Sequence, residues 1–385
     1  MVGAVLVKNG EIIGRGWHRR AGLPHAEIEA LCDAQKSGRN PRGATLYVTL
    51  EPCCTHGRTP PCTTAIVAAG IKRVVIGATD PNPKHSGRAF KILRRAGIDV
   101  VLLGSAGVPP AHSSIRNQST RRRDAGTPEI IALADECARL NDAFNHWVVR
   151  RTPFVTVKAA MTLDGKIATA GGESKWITGE KARAHGMKLR QGSDAILAGI
   201  NTILADDPSL TARMAKSPEA NAQRQKTLRR IILDAMARTP LTAKVVSDEF
   251  TALTTVVVGR HAPKKRVAAL AKRVNVLIAP LVKNPPTVTR HPLLDLRWLL
   301  KKLGAENITS LLVEGGGEVN ASFLLGGLSQ RVALYYAPKI LGGRDSHKAI
   351  AGDGAKNLSE VIQLHEAEWK KLGDDLLMTA FVAEG

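Results

Sequence analysis

Residues 51–62 read EPCCTHGRTPPC, which puts three of the chain's five cysteines and a histidine within twelve residues. Pro52-Cys53 ends the predicted strand ATLYVTL, and Cys62 opens the next predicted helix after Pro61. A thiolate at a helix N-terminus is stabilised by the helix dipole, which favours the form that a metal binds. Upstream, PHAE sets His25 and Glu27 two apart at the start of another predicted helix. One histidine and two cysteines make three ligands, one fewer than a structural zinc normally takes, and so leave a position for water as catalytic zinc sites do. Glu27, not needed as a ligand, can then move protons between that water and a leaving amine, the division of labour in zinc deaminases. PHAE alone would read equally as a helix-start histidine beside an exposed glutamate; with both Pro-Cys pairs present that reading loses its ground.

The rest of the chain sets bounds on this chemistry. At 385 residues there is room for two or three domains, and a hydrophobic share of 44% with a charged share of 23% is that of a soluble globular protein. The first apolar run, VGAVLV, ends at the turn pair Asn9-Gly10 and fits neither a secretory signal nor a membrane span. A cytoplasmic protein with no membrane partner is expected. Lysine and arginine number 55 against 34 acidic residues, a net +21. The excess is scattered, and its densest cluster, Arg121-Arg122-Arg123, sits in a Ser-, Pro- and Gly-rich stretch without the aromatics that base stacking requires. This argues for phosphorylated small-molecule substrates and against nucleic acid. Five closely spaced cysteines in such a chain favour metal or catalysis over disulfides.

Along the chain, residues 2–17 read as a hairpin around KNG, followed by the helix HAEIEALCDAQ with Ile28, Leu31 and Ala34 on one face. Then come strand ATLYVTL, helix CTTAIVAAG closed by Gly70, strand RVVIGAT, helix GRAFKILRRAG closed by Gly97, and strand DVVLLG, an alternation that implies a largely parallel α/β sheet. A basic linker and one bridging helix, PEIIALADECARLNDAFNHWV, fill 105–150. From 151 to 385 a second alternation begins, with strands expected at FVTVKAAM, DAILAGI, RRIILDA, TTVVVG, VNVLIA, SLLVEGG and VALYYAP, and helices at EKARAHGMKLR, DLRWLLKKLG and EVNASFLLGG. Near its end the strand LLVE runs into Gly315-Gly316-Gly317 and a helix, where a pyrophosphate could approach the free amides. A tight strand-to-helix turn explains the same glycines, and no G-x-G-x-x-G is present. Cys32 and Cys137 are expected to be buried small hydrophobes.

The usual nucleobase-deaminase spacing is P-C-x-x-C, whereas eight residues separate Cys53 from Cys62. With that spacing, the runs GWHRRAGLPHAE, TLEPCCTHGRTPPC and DPNP resemble the deaminase half of the bifunctional riboflavin-biosynthesis deaminase-reductases. TLDGKIATAGGESKWIT, ILADDPSLTAR and LLVEGGGEVNASFL resemble the reductase half, whose domain is similar to dihydrofolate reductase. The resemblance covers nearly the whole chain. It implies a cytidine-deaminase-like α/β/α domain over 1–104 and a dihydrofolate-reductase-like α/β domain over 151–385. It implies one zinc per chain on His25, Cys53 and Cys62, Glu27 as proton shuttle, Cys54 outside the ligand set, and substrate contacts in the loop holding His56, Arg58 and Thr59. It places NADPH against Ala160, Trp176, Thr202, Asp206 and the turn Gly316, Gly317, Glu318, Val319, Asn320, Ala321 and Ser322. It places substrate against Ser174, Arg190, Leu210, Arg213 and Glu314, the arginines suiting a phosphate and the glutamate a hydroxyl or ring nitrogen.

The activity so implied is hydrolysis of a ring amine of a diaminopyrimidinone bearing a ribosylamino 5-phosphate, then NADPH reduction of its ribose to a ribityl chain. Two rivals stand beside it. One is a nucleic-acid deaminase with an accessory domain, which should show the short cysteine spacing; the other is a reductase whose first domain is impaired or serves as a scaffold. Two departures are noted: after DPNP the family continues to G-x-G where this chain has Gly87-Arg88-Ala89, and the linker at 105–127 is longer and more basic than expected. Family members also place a helix and an Asn-Pro segment ahead of the strand that opens here as MVGAVLV. A sheet lacking that helix would expose apolar surface on the order of several hundred Å², and a pyrimidine contact would be lost with the asparagine. The expectation is therefore a start-shortened form of a longer chain or a compromised deaminase, with a working reductase either way. The oligomeric state is left open, a homo-oligomer among the options.

Overall fold

The computed structural model describes residues 2–19, 22–57, 59–83, 85–103, 128–212, 228–282 and 294–383. The chain divides into two compact units, Met1–Arg150 and Arg151–Gly385. The basic linker at 105–127, Arg58 and Arg213 lie outside the described residues. No helix among the described residues is long and apolar enough to cross a membrane.

In the first unit, β1 (Gly3–Lys8) and β2 (Glu11–Trp17) form the hairpin expected around KNG. Asn9 and Gly10 both have positive φ, 52° and 82°, the type I′ geometry whose twist matches the flanking strands. With β3 (Thr45–Leu50), β4 (Arg73–Ala78) and β5 (Asp99–Leu102) the sheet order is β2-β1-β3-β4-β5. Only β3–β4 and β4–β5 pair in parallel; β1 is antiparallel to both neighbours. The sheet is thus mixed rather than largely parallel, because a two-residue turn can join only antiparallel strands. Helices α1 (Ala26–Lys36), α2 (Cys62–Ala68) and α3 (Arg88–Arg95) contribute Ala26, Ala30, Ala34, Ile66 and Leu93 to a core with Leu6, Leu46, Val48, Val74 and Ile76. On α1 Glu27 is buried and Ile28 is partly buried against the core, while Cys32 is exposed, against expectation, and Cys137 is buried.

The bridging segment is two helices, α4 (Pro128–Arg139) and α5 (Asp142–Arg150), grouped with the first unit. Its single predicted helix breaks at Leu140 and Asn141, where the Asn145 side-chain amide donates to the Ala138 carbonyl. Helix α4 lies against β3 and β4, while Ile12, Trp17 and Tyr47 on β2 and β3 remain exposed.

The second unit holds a nine-stranded sheet in the order β11-β10-β9-β8-β12-β6-β13-β16-β15. Its strands are β6 (Phe154–Thr162), β8 (Ala195–Gly199), β9 (Arg229–Leu233), β10 (Thr254–Gly259), β11 (Asn275–Ala279), β12 (Ser310–Val313), β13 (Arg331–Ala337), β15 (Leu364–Leu372) and β16 (Asp375–Val382). A small two-stranded sheet pairs β7 (Lys166–Ala168) with β14 (His347–Lys348). The helices are α6 (Glu180–Gln191), α7 (Ile200–Asp206), α8 (Lys244–Ser247), α9 (Lys264–Ala271), α10 (Leu296–Ala305) and α11 (Gly317–Leu324). Strands β11 through β13 run parallel and the β13-β16-β15 end is antiparallel. Separate apolar clusters contain alternate residues of β8, Leu197 in one and Ile196 and Ala198 in the other, so the parallel part is covered on both faces. The β15–β16 hairpin was not foreseen, and β15 is exposed along nearly its whole length, so LHEAEWKKL carries no inside-outside alternation to read.

Helix α1, which carries His25 and Glu27 at its start, rests directly on β2. A Cβ on Gly14 would collide with the Ala30 carbonyl oxygen, and one on Gly16 with the Ala26 carbonyl oxygen. Gly16→Ala should therefore force α1 off the sheet at a cost of about 1–3 kcal/mol. The expected outcome is a lower melting temperature for the first unit and weaker zinc retention, with reductase activity kept; calorimetry and metal analysis read both, and unchanged melting would refute the close-packing account.

Candidate functional site

Three elements deliver the metal-ligand candidates of the first unit: His25 caps α1, Cys53 follows β3, and Cys62 is the first residue of α2. Their ligand atoms all lie within 4.8 Å of one another. His25 Nδ1 is 3.5 Å from Cys53 Sγ and 3.4 Å from Cys62 Sγ. A nitrogen and a sulfur on one tetrahedral zinc, at bond lengths of about 2.0–2.1 Å and about 2.3 Å, lie about 3.5 Å apart, so the donor set and its spacing fit that ion. The Cys53 sulfur also accepts the Cys62 backbone N–H at 3.2 Å. Hydrogen bonding from Cys62, together with the His25 ring, brings the Cys53 thiol down to about 4, while the same hydrogen bond and burial push Cys62 up. A cation bound by both sulfurs would favour both thiolates.

Glu27 is 3% exposed. Burial pushes its carboxyl up, and it shares a hydrogen bond with Cys62. On the far side of the imidazole, Thr59 Oγ1 lies 3.5 Å from His25 Nε2, and the His18 ring meets His25 edge-on with centroids 4.9 Å apart. Cys54 is not in the cluster; its sulfur lies 3.9 Å from His85 Nδ1. His56 is exposed, its Nδ1 3.2 Å from the Gly57 carbonyl oxygen.

In the second unit the candidates gather at the carboxyl end of β12, between β8 and β6, where parallel α/β sheets bind ligands. Glu314 immediately follows β12. Arg190 on α6 grips it bidentately, Nε and Nη2 each 2.9 Å from a carboxylate oxygen, and sends Nη1 to the Thr211 carbonyl at 3.1 Å. Lys158 on β6 completes the group, 3.5 Å from Glu314, with its ammonium 5.6 Å from the Tyr335 ring centre. Burial would raise the Glu314 carboxyl, but the charges of Lys158 and Arg190 outweigh it and hold the group at about 2. Lys158 was not singled out from sequence. Its signal was a lysine at a half-buried position inside an otherwise apolar strand, FVTVKAAMT.

The remaining candidates separate by position. Ser174 Oγ donates to Asp206 at 3.2 Å, Lys175 lies 3.5 Å from the same carboxylate, and Thr202 Oγ1 donates to the Gly315 carbonyl at 3.3 Å. Ala160 is half-buried on β6, and Trp176 is 65% exposed with the Arg183 guanidinium 4.6 Å above its ring. Gly316 is the N-cap of α11 at φ 76°. Glu318 and Ser322 are exposed on α11 and Val319 is half-buried. Asn320 and Ala321, by contrast, are buried, and Asn320 Nδ2 donates to the Ala349 carbonyl at 2.9 Å. Leu210 is buried, at φ 50°, so its side chain belongs to the core. Arg213 lies outside the described residues.

Comparison with known proteins agrees with this division. The family model for the cytidine and deoxycytidylate deaminase zinc-binding region matches residues 1–78, and that for the RibD C-terminal domain matches residues 153–378. The riboflavin biosynthesis protein RibD of Actinobacillus pleuropneumoniae is 38% identical over 380 residues, covering 98% of this chain and 88% of the relative. The structure of Acinetobacter baumannii RibD superposes with a TM-score of 0.77 at 32% identity, over 99% of this chain and 92% of that one. A Thermotoga maritima structure, of a diaminohydroxyphosphoribosylaminopyrimidine deaminase/5-amino-6-(5-phosphoribosylamino)uracil reductase, gives 0.73 at 31%, with the same coverage. Similarity of this depth, running through both halves in one order, means that the chain belongs to the RibD family of riboflavin-biosynthesis proteins, with a zinc-binding deaminase domain followed by a reductase domain.

Proposed function

We propose that the two units act in turn on one phosphorylated pyrimidine. The first hydrolyses a ring amine of 2,5-diamino-6-ribosylamino-4(3H)-pyrimidinone 5′-phosphate, and the second reduces the ribosyl group of the product to a ribityl chain with NADPH. The observation that carries the reading is the three-donor cluster with the buried Glu27 beside it. The Thermotoga maritima relative bears the names of both reactions. The wide Cys53–Cys62 spacing sets the substrate apart from nucleic acid, and five unpaired thiols suit the reducing cytoplasm.

His25, Cys53 and Cys62 would hold a zinc ion, which would supply the Lewis acidity that makes water nucleophilic near neutral pH. Glu27 takes a proton from the attacking water and returns it to the departing amine. Its burial raises its proton affinity toward the range in which both transfers run easily. Thr59 and His18 fix the plane of the His25 ring, the supporting role that second partners of a metal-binding histidine play. In the second unit NADPH supplies the hydride. Lys158 offers the proton for the oxygen that becomes a hydroxyl, and Glu314, kept ionised, orients both Lys158 and a substrate hydroxyl. Arg190 is committed to Glu314 and Thr211, so we assign it to holding that carboxylate in place rather than to a phosphate.

Metal analysis should find about one zinc per chain. Cys53→Ser and Cys62→Ser should lose both zinc and ammonia release, whereas Cys54→Ser keeps both; a site emptied by Cys54→Ser alone would overturn the ligand set. Glu27→Gln should retain zinc and slow ammonia release by roughly 10²–10⁴-fold, and full activity in that variant would remove Glu27 from the mechanism.

For the reductase, Gly316→Leu places a branched side chain at positive φ beside Thr202. NADPH affinity should fall at least tenfold, roughly 1.4 kcal/mol or more, in a titration that leaves deaminase rates alone; a parallel loss of both activities would contradict two independent sites.

A further inference from the structure

Glu51 ends the segment that leads into Pro52-Cys53, and it is 5% exposed. A buried carboxylate needs partners, and this one has three backbone amides from a single distant stretch. Oε2 accepts from Asp80 N at 3.2 Å and from Gly87 N at 3.0 Å, and Oε1 accepts from Ala89 N at 3.1 Å. The first donor opens the loop DPNPKHSG and the other two close it, so both ends of residues 80–87 are pinned to one side chain. The closing donors sit at the start of α3. Gly87, its N-cap at φ 70°, has no side chain with which to cap the helix, and Glu51, the residue after β3, supplies the acceptor and the negative charge that a helix N-terminus favours.

The strapped loop touches the segment that follows Cys53. His85 Nδ1 is 3.4 Å from Thr55 Oγ1 and 3.9 Å from Cys54 Sγ, directly beyond Cys53. Asp80 accepts from Asn82 N at 2.8 Å, which turns the start of the loop.

We infer that Glu51 is a positioning residue of the deaminase: by holding the amides of Asp80, Gly87 and Ala89 it fixes residues 80–83 and 85–87 as a wall of the site against which the pyrimidine binds. The inference rests on the deaminase reading above. It also explains why Gly87-Arg88-Ala89 works here where the family has G-x-G, since Gly87 carries the positive φ and Ala89 contributes only its N–H and a buried methyl.

The test is Glu51→Gln in the full-length protein, with Glu51→Asp, which keeps the charge but shortens its reach, as a second variant should the first fold poorly. Zinc content and reductase activity report on folding. Ammonia release from the diaminopyrimidinone phosphate gives KM and kcat, and hydrogen exchange reads the amides of Asp80, Gly87 and Ala89. The expected result is zinc near the wild-type level and a KM raised roughly tenfold with kcat within about threefold, the scale of one lost charge-assisted hydrogen bond. The three amides should exchange faster. An unchanged KM with unchanged exchange overturns the role, and so does loss of zinc in step with activity, which would make Glu51 a support of the ligand strand. No ammonia release from the wild type would instead bring down the deaminase reading and this role with it.

Discussion

His25 Nδ1 sits 3.5 Å from Cys53 Sγ and 3.4 Å from Cys62 Sγ in a half-buried site, where two thiolates side by side would repel each other. Their mutual hydrogen bond separates the two thiols, Cys53 driven down and Cys62 up. Zinc resolves the same conflict more completely, because it accepts both thiolates at once. Everything near the cluster depends on this convergence, since its members come from the start of α1, the end of β3 and the start of α2. The packing that brings them together is made of small residues. Gly14 and Gly16 let α1 settle on β2, and Ala26, Ala30 and Ala34 fill the seam. The position of Glu27, in the first turn of α1 and buried, follows from that contact.

The second unit solves a different electrostatic problem. Glu314 sits at the carboxyl end of a buried parallel strand, where an unpaired carboxylate would be protonated or would cost several kcal/mol. Arg190 and Lys158 keep it ionised. Such a buried group adds little net stability, because desolvation offsets most of the attraction. What it provides is a fixed charge at the point where β8, β12 and β6 end together, with Lys158 partly open to an incoming substrate.

Much of this was legible in the sequence because ligand chemistry constrains spacing. His25, Cys53 and Cys62 could be read from two Pro-Cys pairs and a helix start, and the structure brings them together. The seven strands from β6 to β13 in the nine-stranded sheet showed as apolar runs because both faces of that sheet are covered. What could not be read depends on long-range pairing or on irregular backbone. Strand β15 is polar and exposed, the α4–α5 break turns on one asparagine amide, and the antiparallel placement of β1 beside β3 has no local signature. Lys158 and Glu51 were missed for a shared reason. Each acts through groups at least 29 residues away, and nothing in its neighbours announces the partner.

The Gly315-Gly316-Gly317 run has a packing reason beside the ligand reason read from the sequence. Absence of side chains beside a bound pyrophosphate was the sequence argument, yet two of these glycines are required by the protein itself. A Cβ on Gly315 would collide with Val319, and one on Gly317 with the Lys348 carbonyl oxygen; Gly199 on β8 is likewise kept bare by Val319. These contacts seat the first turn of α11 against β8. Gly316 alone takes the left-handed conformation that turns the chain from strand into helix, with Thr202 beside it. Close packing and ligand access are therefore not competing explanations. The packing glycines set where α11 begins, and where it begins decides which amides are left pointing out over the ends of the strands.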